Sequence, residues 1–167
     1  MARFRLPRPV AALAIAVAAS GLVIVPTMTS ANAATKLDCS WAKTGSDRAQ
    51  AACFALNERG KPYVSGAEGP NAFDCSGLVQ YVYNKTRVNG MPRTTYQQWD
   101  LYKKDAWYRV DKSDLKYGDL VFFSNFGHVG IYIGGGKIVH APYPGRDVRT
   151  ESMSTVGSFA GALHYKY

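Results

Sequence analysis

The chain has 167 residues, 47% hydrophobic and 19% charged, with a formal net charge of +8 at pH 7. That length leaves room for one domain with one core, and no internal repeat, low-complexity tract or second domain is visible. No Lys/Arg block or aromatic–basic interleaving marks a nucleic-acid surface, so nucleic acid is excluded as a partner.

Residues 1–33 read as an export signal. Arg3, Arg5 and Arg8 precede an apolar run from Val10 to Val25, and Ala31-Asn32-Ala33 offers small residues where a signal peptidase reads. The run is shorter than the roughly twenty residues of a membrane helix, so no span is expected after cleavage. Cleavage would remove three arginines and no acid, taking the charge from +8 to +5 and leaving 134 residues. A modest positive charge suits work beside an anionic bacterial wall, and equally suits plain solubility.

Residues 34–46 form a polar lead-in. It contains Cys39, and the other cysteines are Cys53 and Cys75. An odd number in an exported chain implies one free thiol if the other two pair. Bridging Cys39 and Cys53 would close a short loop worth roughly 3 kcal/mol and leave Cys75 unpaired; pairing of Cys75 with one of them is the inert alternative.

Asp47 to Asn57 places Ala49, Ala52, Cys53 and Leu56 at helical spacing behind an Asp in capping position, and Gly60-Lys61-Pro62 ends it. Tyr63 to Ala72 is a Gly/Pro/Ser/Asn-rich loop leading to Cys75. From Cys75, Leu78, Val79, Val82 and Tyr83 continue a second helical stripe, for which Asn89-Gly90 and Pro92 supply a stop. The two helices are expected to pack together. Arg93, Thr94, Thr95 and Gln97 lie in a polar stretch. Strands follow: Trp107 to Val110 at an edge, Leu120 to Phe123, His128 to Ile133, Lys137 to Ala141, and the weaker Val148 to Glu151 and Gly161 to Tyr167. Helices first and antiparallel strands after predict a segregated α+β domain over residues 47–167.

Cys75 at the start of a helix would set a thiolate against the positive end of the dipole, where a neighbouring imidazolium would stabilise it further. Gly77 leaves space for a substrate backbone to come close. A buried structural cysteine is the bland alternative. Along the next strand His128, Gly130 and Tyr132 share one face, with Val129, Ile131 and Ile133 on the other. If Gly134–Gly136 form a three-residue turn, His140 falls diagonally beside His128. A two-residue turn would put the two on opposite faces. Side by side, His128 could take the thiol proton and His140 could orient it. His164 has no such context and reads as structural. No close ligand pair of the Cys-x-x-Cys or His-x-x-x-His kind is present, so no metal is expected; a three-ligand zinc site from the same residues is the competing geometry. Gly134–Gly136 joins strand to strand and is not a phosphate loop.

Six segments in order carry a likeness to a known family. They are Gly60-Lys61-Pro62-Tyr63, Phe73-Asp74-Cys75-Ser76-Gly77-Leu78-Val79-Gln80, Pro92-Arg93-Thr94-Thr95, Gly118-Asp119-Leu120-Val121-Phe122-Phe123, His128-Val129-Gly130-Ile131-Tyr132-Ile133 and His140-Ala141. Over residues 47 to 165 the chain resembles the NlpC/P60 family of papain-like cysteine peptidases, which cut bacterial cell-wall peptides. The resemblance implies a papain-like α+β fold, with N-terminal helices on an antiparallel sheet. It also implies Cys75 as nucleophile, His128 as general base and His140 as its orienting partner. Tyr63 and the Cys75 amide would hold the oxyanion, and Ser76 would touch substrate. No cofactor is implied. The implied substrate is the peptidoglycan stem peptide, cut between γ-linked D-glutamate and a diamino acid by a secreted, wall-associated monomer. Ser65 stands where the family usually has a large aromatic, and no wall-binding repeat or coiled coil is seen. A toxin, a wall amidase or an acyltransferase would use the same triad. A non-enzymatic wall-binding module would require a lost triad member, and all three are present. No inhibitor or immunity partner can be named from the sequence.

Overall fold

The computed structural model describes residues 36–39 and 45–167; the expected export signal and most of the lead-in lie outside the described residues. Helix α1 spans Asp47–Asn57, with the bounds its periodicity predicts. Its cap is Ser46, whose hydroxyl accepts from the Ala49 amide at 3.4 Å, and not Asp47. Asp47 is buried in the first turn and takes the Arg87 guanidinium at 3.1 Å. Both residues are good caps, and the one whose backbone is still extended takes the role.

Helix α2 spans Cys75–Tyr83, capped by Asp74, and closes at Asn84 rather than at Asn89-Gly90. Its apolar stripe, Leu78, Val79, Val82 and Tyr83, is buried against Ala51, Ala52 and Ala55 of α1 and against one face of the sheet. Each aliphatic side chain contributes at most about 1.5–3 kcal/mol. The Tyr83 hydroxyl donates to the Gly118 carbonyl at 2.6 Å, tying the helix to the turn before β2. A third helix, α3 (Thr95–Trp99), occupies the polar stretch. Its capping box pairs Thr94 with Gln97, and a 3₁₀ turn (Asp100–Lys103) continues it.

The strands are β1 (Trp107–Arg109), β2 (Leu120–Phe123), β3 (His128–Tyr132), β4 (Lys137–His140), β5 (Arg149–Ser152) and β6 (Phe159–Tyr165). They form one antiparallel sheet in the order β1-β6-β2-β3-β4-β5, with β1 at an edge as expected. Leu120, Phe122, Val129, Ile131, Val139 and Leu163 face the helices. Val121, Phe123, Ile138 and Ala162 face the other way, under Met153 of the short helix α4 (Met153–Val156). The α+β arrangement expected from element order is therefore the one adopted.

His164 is buried against Asp119, with Nδ1 and Oδ1 2.8 Å apart but not aligned for a hydrogen bond. The Lys116 amide donates to the other Asp119 oxygen at 2.8 Å. This buried polar cluster sits beneath the β2 entry turn. Cys39 and Cys53 are joined by a disulfide, with their Cα atoms 5.8 Å apart, and Cys75 is free.

Candidate active site

The site is built where the start of α2 meets β3. The loop before α2 is held by its own backbone. The Asp74 amide donates to the Ala67 carbonyl at 2.9 Å, and the Gly66 amide donates to Asp74 Oδ2 at 2.9 Å. Asp74 Oδ1 then accepts the Gly77 amide at 2.7 Å, which caps the helix. Gly77 is required by this packing: a Cβ there would sit 2.1 Å from the Ala67 carbonyl oxygen. The close backbone approach that Gly77 permits is thus the protein's own loop, and not the substrate backbone expected from sequence.

Arg93 grips the same carboxylate through Nη1 at 3.1 Å and Nη2 at 2.5 Å, and reaches Glu68 through Nε at 3.0 Å. Burial alone would raise the Asp74 pKa, but the guanidinium and the two amides hold it below the usual carboxylate value. The Ser76 hydroxyl is buried in this cluster, accepting from Arg93 at 2.9 Å and donating to Asp74 at 3.3 Å. Tyr63, Ser65, Arg93, Thr94 and Gly127 line a cleft of about 610 Å³ together with Cys75 and Ser76. Burial, followed by the proximity of Cys75 and Asp74, raises the Tyr63 pKa, so its hydroxyl keeps its proton and can donate.

The Gly77 amide is taken by Asp74, and the backbone amides of Val129, Ser76 and Cys75 favour the Cys75 thiolate. Val129 is the neighbour of His128, which brings the helix start against the head of β3. His128 enters its strand from Ser124, Asn125 and Phe126, three consecutive residues in the left-handed region. Such a run is costly without glycine and is held by packing of Phe126 on Trp99 of α3, their ring centroids 4.6 Å apart.

Across the hairpin, Ile131 pairs with Val139 and Tyr132 with Ile138, and the Ile133 amide closes on the Lys137 carbonyl at 2.9 Å. That is the register of the three-residue turn, with Gly134, Gly135 and Gly136 all at positive φ. It sets His140 beside His128, whose Nε2 lies 2.8 Å from His140 Nδ1. Gly130 makes room for the pair, since a Cβ there would lie 2.5 Å from Ile138 Cδ1 and 3.3 Å from His140 Cβ. Beyond them, His140 Nε2 lies 3.1 Å from Glu151 Oε2 on β5. Sequence reading did not single out Glu151. The only signal was its place in a strand that could lie beside β4.

The charge state differs from the sequence expectation. Burial pushes the Cys75 thiol above its ordinary value, and the Asp74 carboxylate adds to that, outweighing the three amides. Burial and the neighbouring His140 push His128 down to about 4. Burial also lowers His140, with Glu151 opposing and Arg149 assisting. The resting pair at neutral pH is therefore thiol and neutral imidazole. Desolvation at the seam between helix and sheet outweighs what the start of one nine-residue helix returns. Among the described residues, no group of three His, Cys, Asp or Glu side chains is gathered to hold a metal ion.

A family model described as the NlpC/P60 family matches residues 60–162. The chain belongs to the NlpC/P60 family. It is 40% identical over 105 residues to murein DD-endopeptidase MepH of Escherichia coli strain K12, a match covering 59% of this chain and 38% of that protein. The solved NlpC/p60 domain of the peptidoglycan hydrolase SagA superposes with a TM-score of 0.61 at 32% identity, covering 70% of this chain and 97% of that one. NlpC2 from Trichomonas vaginalis superposes with a TM-score of 0.63 at 29% identity, covering 72% of this chain and 47% of that one. The chain spans 38% of MepH and 18% of Protein P54 from Enterococcus faecium, so it corresponds to a part of such relatives.

Proposed function

We propose that this NlpC/P60 chain is a secreted cysteine endopeptidase that hydrolyses peptidoglycan stem peptides, with Cys75 as nucleophile, His128 as general base and His140 as its orienting partner. The observation that carries the reading is a free cysteine at a capped helix start, with the Val129 amide of β3 favouring its thiolate, and at the head of that same strand a histidine whose ring nitrogen lies 2.8 Å from that of a second histidine. MepH and SagA are named for action on murein and peptidoglycan, which supports the substrate class. The disulfide suits an oxidising compartment outside the cytoplasm. Among the described residues no helix is long and apolar enough to cross a membrane.

The chemistry starts from neutral partners. As the Cys75 sulfur attacks the peptide carbonyl, its proton passes to the free nitrogen of His128. The tetrahedral oxyanion accepts from the Cys75 amide and the Tyr63 hydroxyl. The C–N bond then breaks, and the departing amine takes the proton from His128. Water, giving a proton to the same imidazole, attacks the thioester and releases the acid and the thiol.

The bond is proposed to be that between γ-D-glutamate and the diamino acid. The name of MepH favours a second reading, cleavage of a D,D bond. Mass spectrometry of fragments from digested, purified wall separates the two by the new amino terminus. Cys75→Ala is expected to reduce fragment release at least about 10³-fold with the fold intact. Undiminished release by this variant overturns the assignment.

A further inference from the structure

Resting on the catalytic reading above, we propose that Glu151 is a positioning residue, which fixes the direction of proton transfer by dictating the tautomers of His140 and then His128.

The steps follow from donor and acceptor inventory. A carboxylate can only accept, so the 3.1 Å contact between Glu151 Oε2 and His140 Nε2 requires the proton to be on Nε2. Neutral His140 then has a bare Nδ1. That atom faces His128 Nε2 at 2.8 Å, so His128 must carry its proton on Nε2 and donate it. The remaining nitrogen of His128, Nδ1, is left as a lone pair. A general base for a neutral thiol needs an unprotonated nitrogen, and the neutral state of both rings follows from their burial.

Without Glu151 neither tautomer of His140 is preferred by this contact. The tautomer with Nδ1–H would force His128 to present a proton, and not a lone pair, on its outer nitrogen. The charged groups facing His140 are Glu151 and Arg149, both on β5, while Tyr143, Thr155 and Val156 complete the small cavity of about 140 Å³ behind the histidine pair. Glu151 opposes the effects of burial and of Arg149, so its removal drives the His140 pKa further down.

The test uses the full chain with purified wall as substrate. Glu151→Ala is expected to lower kcat by roughly 10- to 100-fold, the range for loss of a residue that orients a reactive imidazole, with KM within about twofold. Glu151→Gln keeps an accepting oxygen and is expected to restore most of kcat. Nitrogen NMR of the labelled imidazoles in the wild-type protein is expected to show His140 protonated on Nε2, and a mixture of tautomers in Glu151→Ala.

Three results each overturn the proposal: a wild-type His140 protonated on Nδ1, an alanine variant with kcat within twofold of wild type, or a raised KM with kcat unchanged. The last would make the carboxylate a substrate contact. The NMR result stands even if the alanine variant does not fold. It also needs no turnover, so it separates failure of this proposal from failure of the peptidase reading, which would show as an inactive wild-type chain.

Discussion

At the scale of single residues, the site is governed by desolvation. His128 is pushed down to about 4, so it is neutral, and able to act as base, at any pH above that. Activity is therefore expected to fall as pH drops through about 4, rather than near the ordinary imidazole value of about 6.5. The raised thiol gives a second, independent expectation. Alkylation of Cys75 by iodoacetamide reports thiolate, so its rate is expected to climb only at a pH above that of an ordinary thiol, with no plateau between about pH 5 and 7. A plateau there would mean a preformed thiolate–imidazolium pair. The placement of Cys75 at a helix start and of His128 and His140 side by side on a hairpin was legible in the sequence because their types, spacing and neighbouring motifs are local. Their charge states were not, because burial depends on how α2 and β3 close on each other. Glu151 was hidden for a related reason: it lies in a polar, half-exposed strand whose contact with His140 exists only once β4 and β5 pair.

At the scale of elements, the geometry depends on two features that tolerate no added atoms. At the head of α2, Gly77→Ala would drive a methyl into the Ala67 carbonyl and lie 3.0 Å from Asp74 Oδ1. The substitution is expected to cost about 2–4 kcal/mol, read as a shift of the urea midpoint. Activity should fall with it, because the Asp74 cap and the Cys75 sulfur share that turn. An unchanged midpoint would mean that the loop over residues 63–74 yields freely. In the β3–β4 hairpin an odd number of linking residues keeps both histidines on one face. That parity could be read from the three consecutive glycines and the alternation around them. The α1 bounds and the sheet-forming segments were equally readable from their periods of 3.6 and 2. Helix α3 escaped because it has five residues and its buried side chains, Thr95 and Gln98, are polar, leaving Trp99 as its one apolar contact with the core, although Thr94 and Gln97 stood at capping-box spacing. The early end of α2 was hidden by Asn89-Gly90, a stronger stop signal than Asn84.

At the scale of the whole molecule, the disulfide secures α1, the helix against which α2 leans. Its 14-residue separation implies a loss of roughly 3 kcal/mol on reduction in the chain-entropy model, and a melting temperature lower by roughly 10 °C. Calorimetry of a Cys39→Ser, Cys53→Ser double variant checks this. Turnover at 25 °C is expected to persist, because Cys75 takes no part in the bridge. An unchanged melting temperature would place the bridge's contribution elsewhere. The sheet order has its own implication. Strand β6 is threaded between β1 and β2, and β5 closes the far edge beside the histidine hairpin. Cys75 is made before His128 and His140, and β6, which lies between the edge strand β1 and β2, is made last. A partly made chain therefore cannot complete the sheet that carries His128 and His140 until residues as late as Tyr165 have paired.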